Sequence, residues 1–369
     1  MPPLPDLKLK PDFPKTAERF RAWWAGGALD RPLVTVEVKP SRPLRTRPSQ
    51  HATLRDRWMD VEWNVENAIA RLEAHDYPGD RLPFYMPNLG PEITATLFGC
   101  ELEFGESTAW SKPVIHDPSG WERIAAAKPD FGNPYWTAIE KMTRLALERS
   151  EGRYMVGLTD LHGNYDILAA LRDPQALCTD MLDCPDLVRK AGRRVSEGFV
   201  EALQRNWALV SGAGSGCTTW LPFHHAGLAY ASSSDFWGLV SYAMARQMVL
   251  PDILVELAPL ERSIFHLDGP SALQHLDLLL DLRQIHAIQW IYGAGNGPAA
   301  RWIGVYRRAL AAGKAVQVVA EDPADALEVL RATGPDGVWL WVAKSFDTLD
   351  EAQRFIAETA KVTKKLPSS

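Results

Sequence analysis

The chain has little cysteine, no basic surplus and no long apolar run, and each shortage removes a class of protein. Its four cysteines, Cys100, Cys178, Cys184 and Cys217, include no Cys-x-x-Cys pair. Their spacing outlines neither a disulfide framework nor a structural zinc site, so they read as buried free thiols. The formal net charge is −6, which argues against a nucleic-acid partner, because phosphate contacts need a basic face. No apolar stretch approaches the length of a membrane span, and the start, Met1-Pro2-Pro3-Leu4-Pro5, lacks a signal-peptide core. A cytoplasmic protein with neither membrane nor nucleic-acid partner is the expectation. A Gly-x-Gly-x-x-Gly turn after a strand is also missing, which removes the main sign of a dinucleotide fold.

What is present is the composition of a globular protein with a sizeable core, with 46% apolar and 23% charged residues. The 14 tryptophans, including Trp23-Trp24 and Trp339/Trp341, suggest a large aromatic core ahead of a pocket for a flat ligand. In the first half a helix is expected over 16–24, capped by Thr16, then a β-branched strand over 33–38. A proline-broken basic loop follows, with Lys39, Arg42, Arg45 and Arg47, and then a long helix over 53–74. From about residue 150 the rhythm becomes regular. Strands are expected at 154–158, 263–266, 287–290, 315–319 and 337–341, separated by helices that include one running unbroken over 235–258. Strands alternating with helices imply a parallel sheet with right-handed crossovers. A closed barrel fits better than an open sheet, and no linker divides residues 1–369.

The strongest local signal is Phe265-His266-Leu267-Asp268-Gly269-Pro270, which closes a strand and opens a helix. Barrel enzymes place catalytic residues at such strand ends. His266 and Asp268 stand two apart in extended chain and can face one side, where an imidazole and a carboxylate transfer protons or bind a divalent metal. The structural alternative is a helix-capping aspartate beside an interior histidine. Asp160 and His162 repeat the arrangement at an earlier strand end, with capping an equal alternative. Asp235 by itself reads as an N-cap, and Glu321 sits at a strand end or in an acidic first helical turn. Lys39 and Arg42 could hold an anionic ligand at the barrel mouth, against a solvated loop as the default. His224-His225 could supply a metal ligand and Gly293-Ala294-Gly295-Asn296-Gly297 could bind phosphate, both weak signals, while Ser211-Gly212-Ala213-Gly214-Ser215-Gly216 reads as a loop.

Several segments together resemble the uroporphyrinogen decarboxylase superfamily: Ser234-Asp235-Phe236 with a helix running to Leu250-Pro251, the strand ending His266-Leu267-Asp268-Gly269, and Ala287-Ile288-Gln289-Trp290 before a glycine loop. Asp30-Arg31-Pro32-Leu33, Leu89-Gly90-Pro91 and Cys184-Pro185-Asp186-Leu187-Val188 also look like its features. The resemblance covers nearly the whole chain and implies a (β/α)8 TIM barrel with an N-terminal helical extension over residues 1–30. Two activities dominate that superfamily, decarboxylation of a carboxylated tetrapyrrole and methyl transfer from a methylated corrinoid. The decarboxylase's arginine-bearing motif after the first strand is absent. The cysteine of the His-x-Cys zinc pattern is Asp268, and no cysteine lies beyond Cys217, so a thiolate-type zinc site is excluded.

These departures favour a methyltransferase-like member working on a corrinoid- or pterin-linked methyl group. A decarboxylase or lyase is the alternative, and a non-catalytic small-molecule-binding barrel a third. The expected catalytic residues are Asp235, His266, Asp268 and Asp160, with Lys39, Arg42, His162, Gln289 and Trp290 binding substrate. No metal is expected; were one bound, His266, Asp268 and Glu321 would be its ligands. The expected partners are a small-molecule substrate and, for methyl transfer, a corrinoid protein, with a homodimer left open.

Overall fold

The computed structural model describes residues 7–365; the proline-rich start, Met1-Pro2-Pro3-Leu4-Pro5, lies outside them. Its strands are β1 (Leu33–Thr35), β2 (Phe84–Tyr85), β3 (Leu102–Phe104), β4 (Ala109–Ser111), β5 (Met155–Val156), β6 (Ala229–Ser233), β7 (Arg262–Asp268), β8 (Ala287–Ile291), β9 (Ala315–Ala320) and β10 (Val338–Val342). A six-stranded parallel sheet has the order β1-β10-β9-β8-β7-β6, and β2 pairs with β5 in a second parallel sheet. The antiparallel hairpin β3-β4 stands apart. Runs such as Val338-Trp339-Leu340-Trp341-Val342 are apolar at nearly every position because helices cover a parallel sheet while its inner face packs on itself.

This is a mixed α/β architecture consistent with a TIM-barrel-like fold, but the expected closed ladder is not found. At the seam between β1 and β2 the ladder shrinks to an isolated bridge, Thr35 with Gly79, and one bond from Asp80 N to the Val34 carbonyl, 2.8 Å. Buried Asp80 stitches this seam by accepting from Val34 N at 2.8 Å and from Arg31 at 2.5 Å. Between β5 and β6 the contact passes through side chains and a neighbouring segment: Tyr230 donates to the Thr159 carbonyl at 2.9 Å, and Leu158 N to the Thr218 carbonyl at 2.9 Å. Pro83 and Pro87 flank β2, and residues without an N–H cannot extend a ladder.

Helix Phe13–Trp24 covers the edge where the strands begin. Phe20 and Trp23 stand edge-on to Trp339 at 5.3 and 5.4 Å, and Trp23 Nε1 donates to the Val316 carbonyl at 3.3 Å. Trp23, Trp121, Trp136, Trp237, Trp290 and Trp339 are among the largest fully buried side chains, so much of the tryptophan content is core.

Several boundaries differ from the sequence reading. The first helix starts at Phe13 with Pro14 in its opening turn, leaving Thr16 buried inside it. The single helix expected over 53–74 is two, Leu54–Met59 and Val61–Ala74, divided at Asp60, which caps the second through Trp63 N. The helix expected over 235–258 breaks into a 3-10 turn (Phe236–Leu239), a helical turn at Tyr242–Met244, a π turn (Ala245–Val249) and a helix (Leu250–Leu257). Pro251 cannot donate to the preceding turn, which accounts for the widened π segment just before it. Strand β6 and the β3-β4 hairpin had no signal strong enough to mark them. Of the cysteines, Cys100 and Cys217 are buried, Cys178 and Cys184 half-buried, and all are free. Among the described residues no helix is long and apolar enough to cross a membrane.

Candidate active site at the carboxyl ends of the strands

The core of the site is a row of side chains set by strand register. His266 of β7 pairs with Gln289 of β8, and Gln289 with Gln317 of β9. Residues paired in register across neighbouring strands stand on one face of the sheet, so these three point the same way. His266 Nδ1 bonds to Gln289 Oε1, and Gln289 Nε2 donates to Gln317 Oε1 at 2.5 Å. An amide oxygen only accepts, so Nδ1 carries the ring proton and Nε2 is left free. Nε2 lies 4.0 Å from Asp268 Oδ2. The edge of the Trp220 ring closes the other side of the imidazole, centroids 5.2 Å apart.

Asp235 joins this row two residues beyond β6. One ligand-type atom from each of Asp235, His266 and Asp268 falls within 4.8 Å of the others, so the three could hold a metal ion. The chemistry of that donor set is two carboxylates and an imidazole, with no cysteine. It suits a hard or borderline divalent cation, not thiolate-bound zinc.

Asp160 and His162, from the turn beyond β5, face the same cluster. Burial raises the Asp160 carboxyl above its ordinary range, and the Asp235 charge adds to this while His162 and His266 oppose it. Asp160 Oδ1 is buried with no hydrogen-bond partner among the described residues. Burial alone would lower the His162 imidazole, but Asp160, Asp166, Asp235 and Glu92 together raise it. Asp166 is pushed up to about 6 by burial and by Asp235. Its carboxylate accepts from Asp235 N at 3.1 Å and Phe236 N at 2.7 Å, which fixes where Asp235 begins. The cluster thus pairs Asp-x-His from one strand end with His-x-Asp from another, around a shared carboxylate. Imidazoles and carboxylates set this close can pass a proton from one to another.

A buried layer holds these loops. Asn164 has a positive φ of 38°, a strained conformation for a residue with a side chain. Its amide donates to the Ser233 carbonyl at 2.9 Å and to Glu256 at 3.0 Å, while its oxygen accepts from Ser234 at 2.8 Å. Glu256 also accepts from Asn164 N at 2.6 Å and Ser196 at 2.9 Å. Gly163 is required beside it, because a Cβ there would lie 2.1 Å from Glu256 Oε1.

Other expected site residues are elsewhere. Lys39 is ion-paired with Asp347, and Arg42 is spent on the end of the preceding helix, bonding the Glu73 carbonyl at 2.6 Å, the His75 carbonyl, and Asp76 at 3.1 Å. Neither faces the cluster, because acceptors on neighbouring loops neutralise both. Trp290 lies on the opposite face of β8 from Gln289, fully buried against Trp302, so it is core and does not line the site. Glu321 sits against Gly297, outside the metal-capable group, and Asp235 takes the place expected for it. His224 donates to or accepts from nothing in the cluster: it is buried, bonded to the Ser215 carbonyl at 3.1 Å and lowered to about 4 by burial. Sequence reasoning missed Asp166, Asn164, Gln317, Trp220 and Glu256. Gln317 carried a usable signal, a lone amide within Ala-Val-Gln-Val-Val-Ala that matches Gln289 within Ala-Ile-Gln-Trp-Ile.

No family model matches the chain, and no curated protein matches it. Among solved structures, a methyltransferase from Methanosarcina mazei is similar over 94% of this chain and 98% of its own, with a TM-score of 0.60 at 14% identity. A B12-independent methionine synthase from Shewanella sp. W3-18-1, in complex with selenomethionine, matches 92% of this chain and 95% of its own, with a TM-score of 0.42 at 11% identity. The first of these carries a likeness of fold.

Proposed function

We propose that the chain is a methyltransferase-like enzyme of the uroporphyrinogen decarboxylase-type barrel, moving a corrinoid- or pterin-linked methyl group to a small acceptor. The observation that carries this reading is the meeting of Asp160, His162, Asp235, His266 and Asp268 at one end of the strands, on a fold similar to that of a methyltransferase. Methyl transfer to an X–H acceptor forms an X–C bond and breaks the carrier–C bond, whose electron pair stays with the carrier. The acceptor's proton must go to a base. His266 Nε2 is that base, held in the accepting tautomer by Gln289, and Asp268 and Asp235 stabilise the imidazolium that results. His162, flanked by Asp160 and Asp166, shares the proton on the far side.

A second reading is favoured by the closeness of Asp235, His266 and Asp268. These residues would hold a divalent cation, which would supply Lewis-acid activation of the acceptor.

The test is turnover of methylcobalamin and of N5-methyltetrahydropterin with thiol and amine acceptors, with elemental analysis of the same protein. His266→Ala is expected to cost on the order of a hundredfold or more in rate. Chelator-sensitive activity together with a bound ion lost in that variant selects the metal version. Release of CO2 from carboxylated substrates with no methyl transfer would replace the proposal with the lyase.

A further inference from the structure

Beside the acid cluster lies a cavity of about 350 Å³ that the mechanism above does not use. It opens over the seam where β1 and β2 lack a ladder, between Thr35 and Phe84. Phe84, Trp220 and Trp341 form its walls, and all three rings are half-buried. Trp220 is shared: it lines this cavity and packs edge-on against His266.

Two of the polar groups on its wall are guanidinium, Arg71 and Arg81. Arg81 uses its guanidinium sparingly, reaching the Asp76 carbonyl at 3.2 Å and Glu37 at 3.5 Å, with its head over the Tyr77 ring at 5.2 Å. Five N–H groups are available to an arginine, so donors remain for a ligand. The Arg71 guanidinium has no acceptor among the described residues, although it lines the same space. His75 donates from Nδ1 to the Arg71 carbonyl at 2.7 Å, which leaves its Nε2 available. Glu37 is the one carboxylate on the wall, and it only partly offsets two guanidinium groups.

From this we infer that the cavity is a binding site for a small planar acid, a carboxylate carried on one or two aromatic rings. The rings stack among Phe84, Trp220 and Trp341, and the carboxylate takes the spare donors of Arg81 and Arg71. The size is at the small end for ligand pockets, which excludes large polycarboxylates. Its further role, as the acceptor subsite with the ring edge turned to Trp220 and His266, rests on the methyl-transfer reading; binding itself does not.

Calorimetry with the intact protein and no methyl donor separates the two. 2-Naphthoate is expected to bind in the micromolar range, and 2-naphthamide, the same shape without charge, about tenfold or more weaker. Arg71→Met, an exposed position, should weaken naphthoate about tenfold without changing the circular dichroism spectrum. Arg81→Lys, which keeps the charge but not the fork, should also weaken it. Equal affinity for naphthoate and naphthamide, or no heat with either up to millimolar concentration, overturns the proposal. Naphthoate binding in a protein that transfers no methyl group upholds the cavity and refutes the methyl-transfer reading alone.

Discussion

The imidazole of His266 is held by an amide pair whose second member, Gln317, is fully buried and keeps Nε2 without a partner among the described residues. Leaving a buried donor unmade costs free energy on the order of 1–3 kcal/mol, so a chain of two glutamines inside apolar strands calls for a function. Fixing the tautomer of His266 is the role that the hydrogen-bond chain supports. Gln289→Leu removes the acceptor for Nδ1 and should lower kcat about ten- to a hundredfold with little change in KM, whereas Gln289→Glu, which still accepts, should retain more. Steady-state kinetics over a range of pH checks this: a Leu variant within twofold of the parent would make Gln289 a packing residue only. The same residues show the limit of reading face from sequence. Gln289 and Trp290 are neighbours, and both read as pocket residues, yet alternation allows only one of them to face the site.

The helix Leu250–Leu257 carries two acids into the layer beneath the site. Burial pushes Asp252 up to about 7 and Glu256 up to about 8. Both folded values lie above the ordinary carboxyl range, so the folded state holds protons that the unfolded chain releases. The stability tied to these protons is full below about pH 4 and is lost as pH rises through 7 to 8. Melting temperature should therefore fall between pH 5 and pH 9, and Asp252→Asn should flatten that fall and stabilise the protein by on the order of 2 kcal/mol at pH 8. An unchanged slope in the variant would show that Asp252 is ionised when folded. On the same contact, Gly163→Ala would push a methyl group onto Glu256, and about 1–3 kcal/mol of destabilisation is expected, with turnover lost as the Asp160–His162 turn shifts. Equilibrium denaturation and kinetics on one preparation test both halves.

Elements of this kind divide what could be read in the chain from what could not. The later strands β7 to β10 announced themselves, because a parallel strand under helices is a short apolar run between turn residues, and His266 and Asp268 were placed by position at a strand end. Strand β6, Ala-Tyr-Ala-Ser-Ser, has no such run; its pairing with β7 supplies the order that its side chains do not. The supporting layer was hidden for a different reason. Asn164 and Glu256 stand 92 residues apart, and nothing local tells a helix surface acid from one buried under a distant loop. Lys39 and Arg42 misled because a basic loop looks the same whether its charges face a ligand or, as here, Asp347 and the end of a helix.

At the scale of the whole molecule the two edges of the sheet do opposite work. The edge where strands begin is sealed by Phe20, Trp23 and Trp24, whose rings meet Trp339 and Phe223. The edge where strands end gathers Asp160, Asp166, Asp235 and Asp268, and burial, with the charge of Asp235 added to it, raises the carboxyls of the other three. Like charges held this close weaken the fold, and on the proposed function their cost is offset by the chemistry they serve. Trp23→Ala should therefore cost about 3–5 kcal/mol of stability while the protein that remains folded keeps its kcat, because the ring touches only the floor. Asp235→Asn should do the reverse, leaving the melting temperature at pH 7 unchanged or raising it while turnover drops by tenfold or more. Melting curves and active-site-normalised rates for the two variants decide the matter. If Trp23→Ala lowers kcat of the folded fraction as strongly as Asp235→Asn does, floor and mouth are mechanically coupled and the division of labour fails. If Asp235→Asn is instead destabilised, its carboxylate holds the mouth together, and the base assigned to His266 then depends on a structural ion pair, not on a cluster kept strained for catalysis.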